Sequence, residues 1–112
     1  MLFRSISMEN LARTYAKRGY LKEGEQLGVQ VLDMRKRVLG VEHPDTMKSM
    51  DNLARTYSKK GYLKEAEQLW IQVLDMKERV LGAEHPDTLR SMENLASIRE
   101  SEMRQSSYMI KS

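Results

Sequence analysis

The sequence has no cysteine, only two prolines among its 112 residues, and an aromatic content of 6%. The lack of cysteine excludes disulfides, thiolate metal sites and cysteine nucleophiles, and it is typical of a protein from a reducing compartment. Few prolines leave long stretches free to form helix, because proline removes a hydrogen-bond donor and clashes with the preceding turn. The composition is thus poor in helix breakers, and the lack of cysteine fits the cytoplasmic location that we expect.

Long hydrophobic runs and an excess of one charge are missing as well. No apolar stretch approaches the roughly 20 residues that span a bilayer, and the N-terminal MLFRSIS is too short and too interrupted for a signal peptide. The net charge is only +3, from 19 basic and 16 acidic residues, so the charge predicts no nucleic-acid partner. We expect one domain over residues 1–112 that contacts neither membrane nor nucleic acid.

Groups that support catalysis or metal binding are scarce. The chain has two histidines and no glycine-rich phosphate loop. His43 and His85 each precede a proline and have no second histidine one helical turn away, so they favour helix capping over a metal site. No reacting constellation can be recognised. The sequence predicts a protein that is not an enzyme and that uses no metal or cofactor.

What the sequence does contain is a repeat of 42 residues. The tetrapeptide HPDT begins at His43 and again at His85, and GYLKE recurs at the same spacing. Residues 8–49 align with residues 50–91 without a gap, giving 31 identical pairs and 11 differences. A third copy starts at His85 but later has arginine and methionine where the others have tyrosine and glycine. A fixed period of this length is typical of stacked structural repeats.

Apolar residues recur at helical spacing in two segments of each repeat. Met50, Leu53 and Tyr57 define one face of the first segment, and Trp70 belongs to the apolar face of the second. Gly61, between them, ends the first helix because glycine adopts the left-handed conformation at little cost. The pattern predicts helices over about residues 4–18, 21–39, 45–60, 63–81 and 87–104, followed by a frayed tail over 105–112.

One helical hairpin cannot bury its apolar face alone, whereas stacked hairpins bury a continuous core. We therefore expect an all-α solenoid of about two and a half units. These are unit 1 over about residues 4–41, unit 2 over about 43–83, and a C-terminal capping helix over about 87–104. Unit 1 has Gly24 and Gly28 where unit 2 has Ala66 and Trp70. Glycine disfavours helix, so the first hairpin is expected to be the looser one.

The run from Asn52 to Trp70 reads N-L-A-x-x-Y-x-x-x-G-x-x-x-E-A-x-x-x-W. It resembles the tetratricopeptide repeat (TPR) signature in order and spacing. With LG-x-EHPDT-x-x-S-M-x-NLA after it, the sequence is similar to the 42-residue TPR class found in kinesin light chains and in the repeat arms of NLR-like proteins of fungi and bacteria. The resemblance implies a right-handed superhelix of hairpins that binds a peptide or partner helix on its concave surface.

The resemblance places this binding groove on the polar side of the first helix of each unit. The residues it assigns there are Asn10, Arg13, Lys17, Lys48, Asp51, Asn52, Arg55, Lys59, Arg90 and Asn94. Asparagine amides both donate and accept, so three of them at a 42-residue period can bond the backbone of an extended ligand. Alternatively, they bond neighbouring helices or face water. The cations favour an acidic peptide or a C-terminal carboxylate.

Two other functions remain open. The chain can instead be a structural segment of a larger sensor or scaffold protein that forms homo-oligomers through its open solenoid ends. RNA binding by helical repeats would need stacking or base-reading side chains at regular positions. No aromatic residue is expected on the groove in the repeat register, so RNA binding is the least favoured of the three.

Overall fold

The computed structural model describes the backbone of residues 2–111, together with the side chains of residue 4 and residues 6–106. It contains five α-helices, which are α1 (Leu2–Lys17), α2 (Leu21–Val38), α3 (Pro44–Lys60), α4 (Leu63–Val80) and α5 (Pro86–Lys111). No strand occurs in this part of the chain. The predicted all-α arrangement of five helices is therefore confirmed.

Glycine and histidine mark the helix ends, as the sequence predicts. Gly61 ends α3 in the left-handed conformation, with φ of 87°. At the start of α3, His43 Nδ1 accepts a hydrogen bond from the backbone N–H of Asp45 at 3.1 Å. His85 Nδ1 accepts the same bond from the backbone N–H of Asp87, also at 3.1 Å. Both histidines are thus helix caps, and each occupies the same place in its repeat.

The last helix is longer than the sequence pattern predicts. We expected it to end at about residue 104, but α5 runs to Lys111. The predicted end is wrong because no glycine or proline follows Pro86, so nothing in the backbone chemistry stops the helix. Ser112, the last residue of the predicted frayed tail, lies outside the described residues.

The helices pack in chain order, each against the next, and α1 also touches α3. The first two hairpins share a core that includes Leu32, Met50 and Val73. A second cluster, which includes Trp70 and Leu95, joins the second hairpin to α5. Trp70 is only 4% exposed, which confirms its predicted place in the core. Hairpins stacked in this way form an α-solenoid.

The two hairpins differ where unit 1 carries its helix-interior glycines. A Cβ atom on Gly28 would lie 3.2 Å from Leu53 Cδ1, the mobile end of a side chain. A Cβ atom on Gly24 would lie 3.1 Å from the carbonyl oxygen of Ala12 and 3.3 Å from the backbone nitrogen of Ala16. Gly24 therefore allows α1 and α2 to approach closely, whereas Gly28 leaves space that a side chain can enter.

This difference predicts opposite effects for the same substitution. Gly28→Ala should raise the free energy of unfolding by about 0.5–1 kcal/mol, because it removes the helix penalty of glycine and Leu53 can rotate away. Gly24→Ala should lower it by about 1 kcal/mol, because the new methyl group presses on backbone atoms. Urea unfolding, monitored by circular dichroism, measures the free energy of unfolding of both variants. Equal effects of the two substitutions would contradict the packing argument.

Candidate functional site

A groove with a volume of about 630 Å³ follows the first helices of the units. Seven of the ten predicted groove residues line it, namely Arg13, Lys17, Lys48, Asp51, Asn52, Arg55 and Arg90. The first turns of α3 and α5 complete the wall, with Asp45 and Asp87 among their residues. Asn10, Lys59 and Asn94 are not among the lining residues, although Lys59 lines the smaller cavity beside the groove. The structure thus brings most of the predicted set together on one surface.

A smaller, mainly apolar cavity of about 110 Å³ opens beside this groove. Its apolar wall is built by five residues of the first three helices, Ala12, Ala16, Gly24, Gly28 and Leu53. Its polar lining comes from Arg13, Lys17, Asn52, Arg55, Thr56 and Lys59. This cavity was not predicted from the sequence. The sequence feature that could have predicted it is the alignment of Gly28 with Trp70, because Trp70 fills the equivalent space in the second hairpin.

Four cations surround the cavity without carboxylate partners. Arg13, Lys17, Arg55 and Lys59 are all exposed, and within residues 4 and 6–106 none of them belongs to an ion pair. Arg13 Nη2 instead donates a hydrogen bond to Asn10 Oδ1 at 2.6 Å. A guanidinium or ammonium group left free in this way can bind a carboxylate from another molecule.

A buried ion pair lies at the junction between the first two hairpins. Arg35 Nη1 is 3.0 Å from Glu9 Oε1, and the two side chains are 4% and 8% exposed. The same guanidinium donates to Ser49 Oγ at 2.7 Å and to the carbonyl oxygen of Asp45 at 3.1 Å. Asn52 Nδ2 also donates to Glu9 Oε1, at 3.0 Å. The amide group of Asn52 is therefore engaged by the neighbouring hairpin.

The next junction repeats this network with shorter side chains. Lys77 Nζ donates to Asp51 Oδ2 at 2.7 Å and to Ser91 Oγ at 3.0 Å. Asp51 Oδ1 and Asn94 Nδ2 are buried there and have no partner among the described residues. In the first junction the equivalent amide reaches the longer glutamate, so we attribute the two unpaired atoms to the methylene group that aspartate lacks.

A third polar contact holds the hairpins together away from the groove. Lys60 Nζ donates to Glu25 Oε1 at 2.6 Å, and this hydrogen bond raises the pKa of Lys60 above its ordinary value. Burial, followed by the charge of Glu25, raises the pKa of Tyr57. One repeat later, Glu67 and Glu102 occupy the positions of Glu25 and Lys60. Burial, followed by the nearby Glu67, raises the pKa of Glu102.

The described part of the chain holds neither a metal-binding cluster nor a membrane-spanning helix. Within residues 4 and 6–106, no group of three or more histidine, aspartate or glutamate side chains can hold a metal ion. Every helix over the described range is too short or too polar to cross a bilayer.

Stacked hairpins with a groove along their first helices define a helical-repeat protein. The family model of the tetratricopeptide repeat matches residues 6–45 and 46–87. The chain therefore belongs to the tetratricopeptide repeat family. Repeats of this family are generally protein-interaction modules and generally non-catalytic.

Solved structures support the same assignment. The nearly identical TPR-like repeats of a putative kinesin light chain from Podospora anserina are 34% identical, with a TM-score of 0.81 over 90% of this chain and 48% of that one. BtubC (BKLC) from P. vanneervenii is 18% identical, with a TM-score of 0.82 over 88% of this chain and 39% of that one, and it shows the fold alone. The chain thus spans less than half the length of either protein. No curated protein sequence matches it.

The unpaired atoms of the second junction lead to a stability prediction. The double variant Asp51→Glu with Lys77→Arg copies the first junction, so Asn94 Nδ2 should gain the carboxylate partner that Asn52 has. We expect the free energy of unfolding to rise by about 1 kcal/mol, the contribution of one net hydrogen bond. Chemical denaturation measures it. Adding Asn94→Ala should cancel the gain, and an undiminished gain would contradict this explanation.

The raised pKa of Glu102 predicts a pH dependence. A carboxyl whose pKa is higher in the folded protein destabilises the fold when ionised, and this cost disappears as the pH falls through the folded pKa toward the unfolded value of about 4.3. Glu102→Gln should therefore be more stable than wild type at pH 7, and its advantage should shrink as the pH approaches 4. Thermal unfolding between pH 7 and pH 4 tests this. Glu100→Gln, on the exposed side of α5, is the matched control.

Proposed function

We propose that this protein is a noncatalytic adaptor of the cytoplasm that binds an acidic peptide, or an acidic partner helix, in the groove of the first helices. The observation that carries the proposal is the set of four unpaired cations around an apolar cavity. Residues 1–112 would act as one domain, and the ligand would extend from this cavity along the groove toward Arg90.

The cavity and its cations favour one arrangement of ligand groups. Burial of an apolar side chain in the space beside Gly28 would supply hydrophobic free energy. Carboxylates on either side of that side chain, or a C-terminal carboxylate, would then meet Arg13 and Arg55. Hydrogen bonds between charged groups are stronger than neutral ones and fix the orientation of the ligand. The resulting ligand is an acidic segment with one bulky apolar residue.

The asparagines contribute less than the cations in this proposal. Asn52 already donates to Glu9, and Asn10 already accepts from Arg13. Asn94 differs because its Nδ2 group has no partner among the described residues. A ligand that reaches α5 can therefore use Asn94 without breaking an existing hydrogen bond. The amide positions of the two earlier helices mainly hold the groove in shape.

Charge reversal beside the cavity tests the groove. The variant Arg55→Glu with Lys59→Glu should reduce the binding of peptides selected from a displayed random library at least tenfold, because attraction becomes repulsion at the cavity. Lys22→Glu with Lys36→Glu carries the same change of charge on the exposed side of α2 and serves as the control.

A second variant tests the cavity itself. Gly28→Trp copies the residue that fills this space in unit 2, and it should weaken the same peptides without loss of helix content by circular dichroism. Selected peptides that lack acidic residues, or that bind both groove variants and wild type equally, would contradict the proposed function.

A further inference from the structure

One face of α5 exposes apolar side chains in a stripe. Leu89, Met92 and Met103 are 47%, 46% and 72% exposed, and Ala96 between them is exposed too. Their separations of three, four and seven residues place them on one side of the helix. The buried side of α5, which includes Leu95 and packs on α4, faces elsewhere. The stripe is therefore a second apolar face, separate from the core.

The repeat shows what covers this face in a complete hairpin. Leu89 and Met92 occupy the positions of Met47 and Met50 one repeat earlier. Those two methionines of α3 are only 2% and 0% exposed. They belong to the same core cluster as Val73 of α4. In the second unit, the partner of this face is thus the second helix of the hairpin.

The charges follow the same register. Glu9 and Asp51 are 42 residues apart, and each pairs with a cation of the second helix in its own hairpin, Arg35 or Lys77. Glu93 is the next residue in this series. It is exposed and forms no ion pair in the described part of the chain. The face of α5 therefore offers both the apolar contacts and the carboxylate that a second helix uses.

We propose that the exposed face of α5 binds a helix from another protein that has the chemistry of α4. This partner helix carries an apolar stripe for Leu89, Met92 and Ala96, and a lysine or arginine that pairs with Glu93. The inference follows from the repeat register, and it does not depend on the function proposed for the groove.

A second folded copy of this chain does not meet this description. Its two helices of the required kind, α2 and α4, already bury their apolar faces, where Val31 is 1% exposed and Val73 is 0% exposed. A helix docked on α5 must also supply a free cation, whereas Arg35 and Lys77 are buried in their own hairpins. The repeat register does not supply the helix either, because α5 continues without a turn past Met103, the residue that stands where Gly61 ends α3. We therefore assign this face to a helix that is free in its own protein.

A peptide with the sequence of residues 62–82 is a suitable probe, because it contains α4 and Lys77. Fluorescence anisotropy of the labelled peptide with the full chain should show saturable binding. Either Lys77→Glu in the peptide or Glu93→Lys in the protein should weaken it about tenfold, and the two changes together should restore it, since they reverse one ion pair. The control is the protein variant Glu23→Lys, on the exposed side of α2, which should bind the peptide like wild type.

The methionine methyl groups identify the site that the peptide occupies. In a chain labelled with ¹³C-methyl methionine, the signals of Met92 and Met103 should move on peptide addition, and those of Met47 and Met50 should not. Shifts of Met47 and Met50 would mean that the peptide has replaced α4, which would overturn the proposal. Absence of saturable binding would overturn it too. So would a dimer of the chain alone, seen by sedimentation and abolished by Met92→Glu, because this face would then belong to a second copy.

Discussion

The buried cation at each hairpin junction is the constraint on which the rest of this structure depends. Arg35 and Lys77 each pair with a carboxylate of their own hairpin and donate to a serine of the next first helix. A buried charge is tolerated only when its partners are present with good geometry, and loss of one partner is strongly destabilising. The network therefore sets how successive first helices lie side by side, and these helices carry the groove.

Much of the fold could be predicted because repeated local signals agree with one another. The glycine that ends α3 and the two histidine caps each follow from backbone chemistry at a single position, and Trp70 lies in the core as its spacing indicates. The end of α5 was predicted wrongly because no such local backbone signal marks it. Polarity alone suggested a frayed tail there, but the segment contains no helix-breaking residue.

The buried network could not be predicted from helical periodicity. Asp51 was assigned to the groove, and it does line the groove, but its side chain is 13% exposed and is paired with Lys77. A charged residue beside an apolar stripe has the same pattern whether it faces water or a buried partner. The available signal was the pair of differences between the units, in which Glu9 and Arg35 become Asp51 and Lys77 together. Such paired changes preserve an ion pair while they shorten both side chains.

The few differences between the two units explain why one junction is open and the other closed. Because 31 of the 42 aligned pairs are identical, the helices and their caps are nearly the same in both units, and chemical variety comes from the other 11 positions. Gly28 leaves a cavity where Trp70 fills the space, although the cations beside it, Arg13 and Lys17, recur unchanged as Arg55 and Lys59. The cationic surface is thus a property of the repeat, whereas the apolar opening belongs to the first junction, where glycine stands in place of tryptophan. An extended acidic ligand on this periodic groove would gain a preferred register from that opening, since an apolar side chain can be buried there.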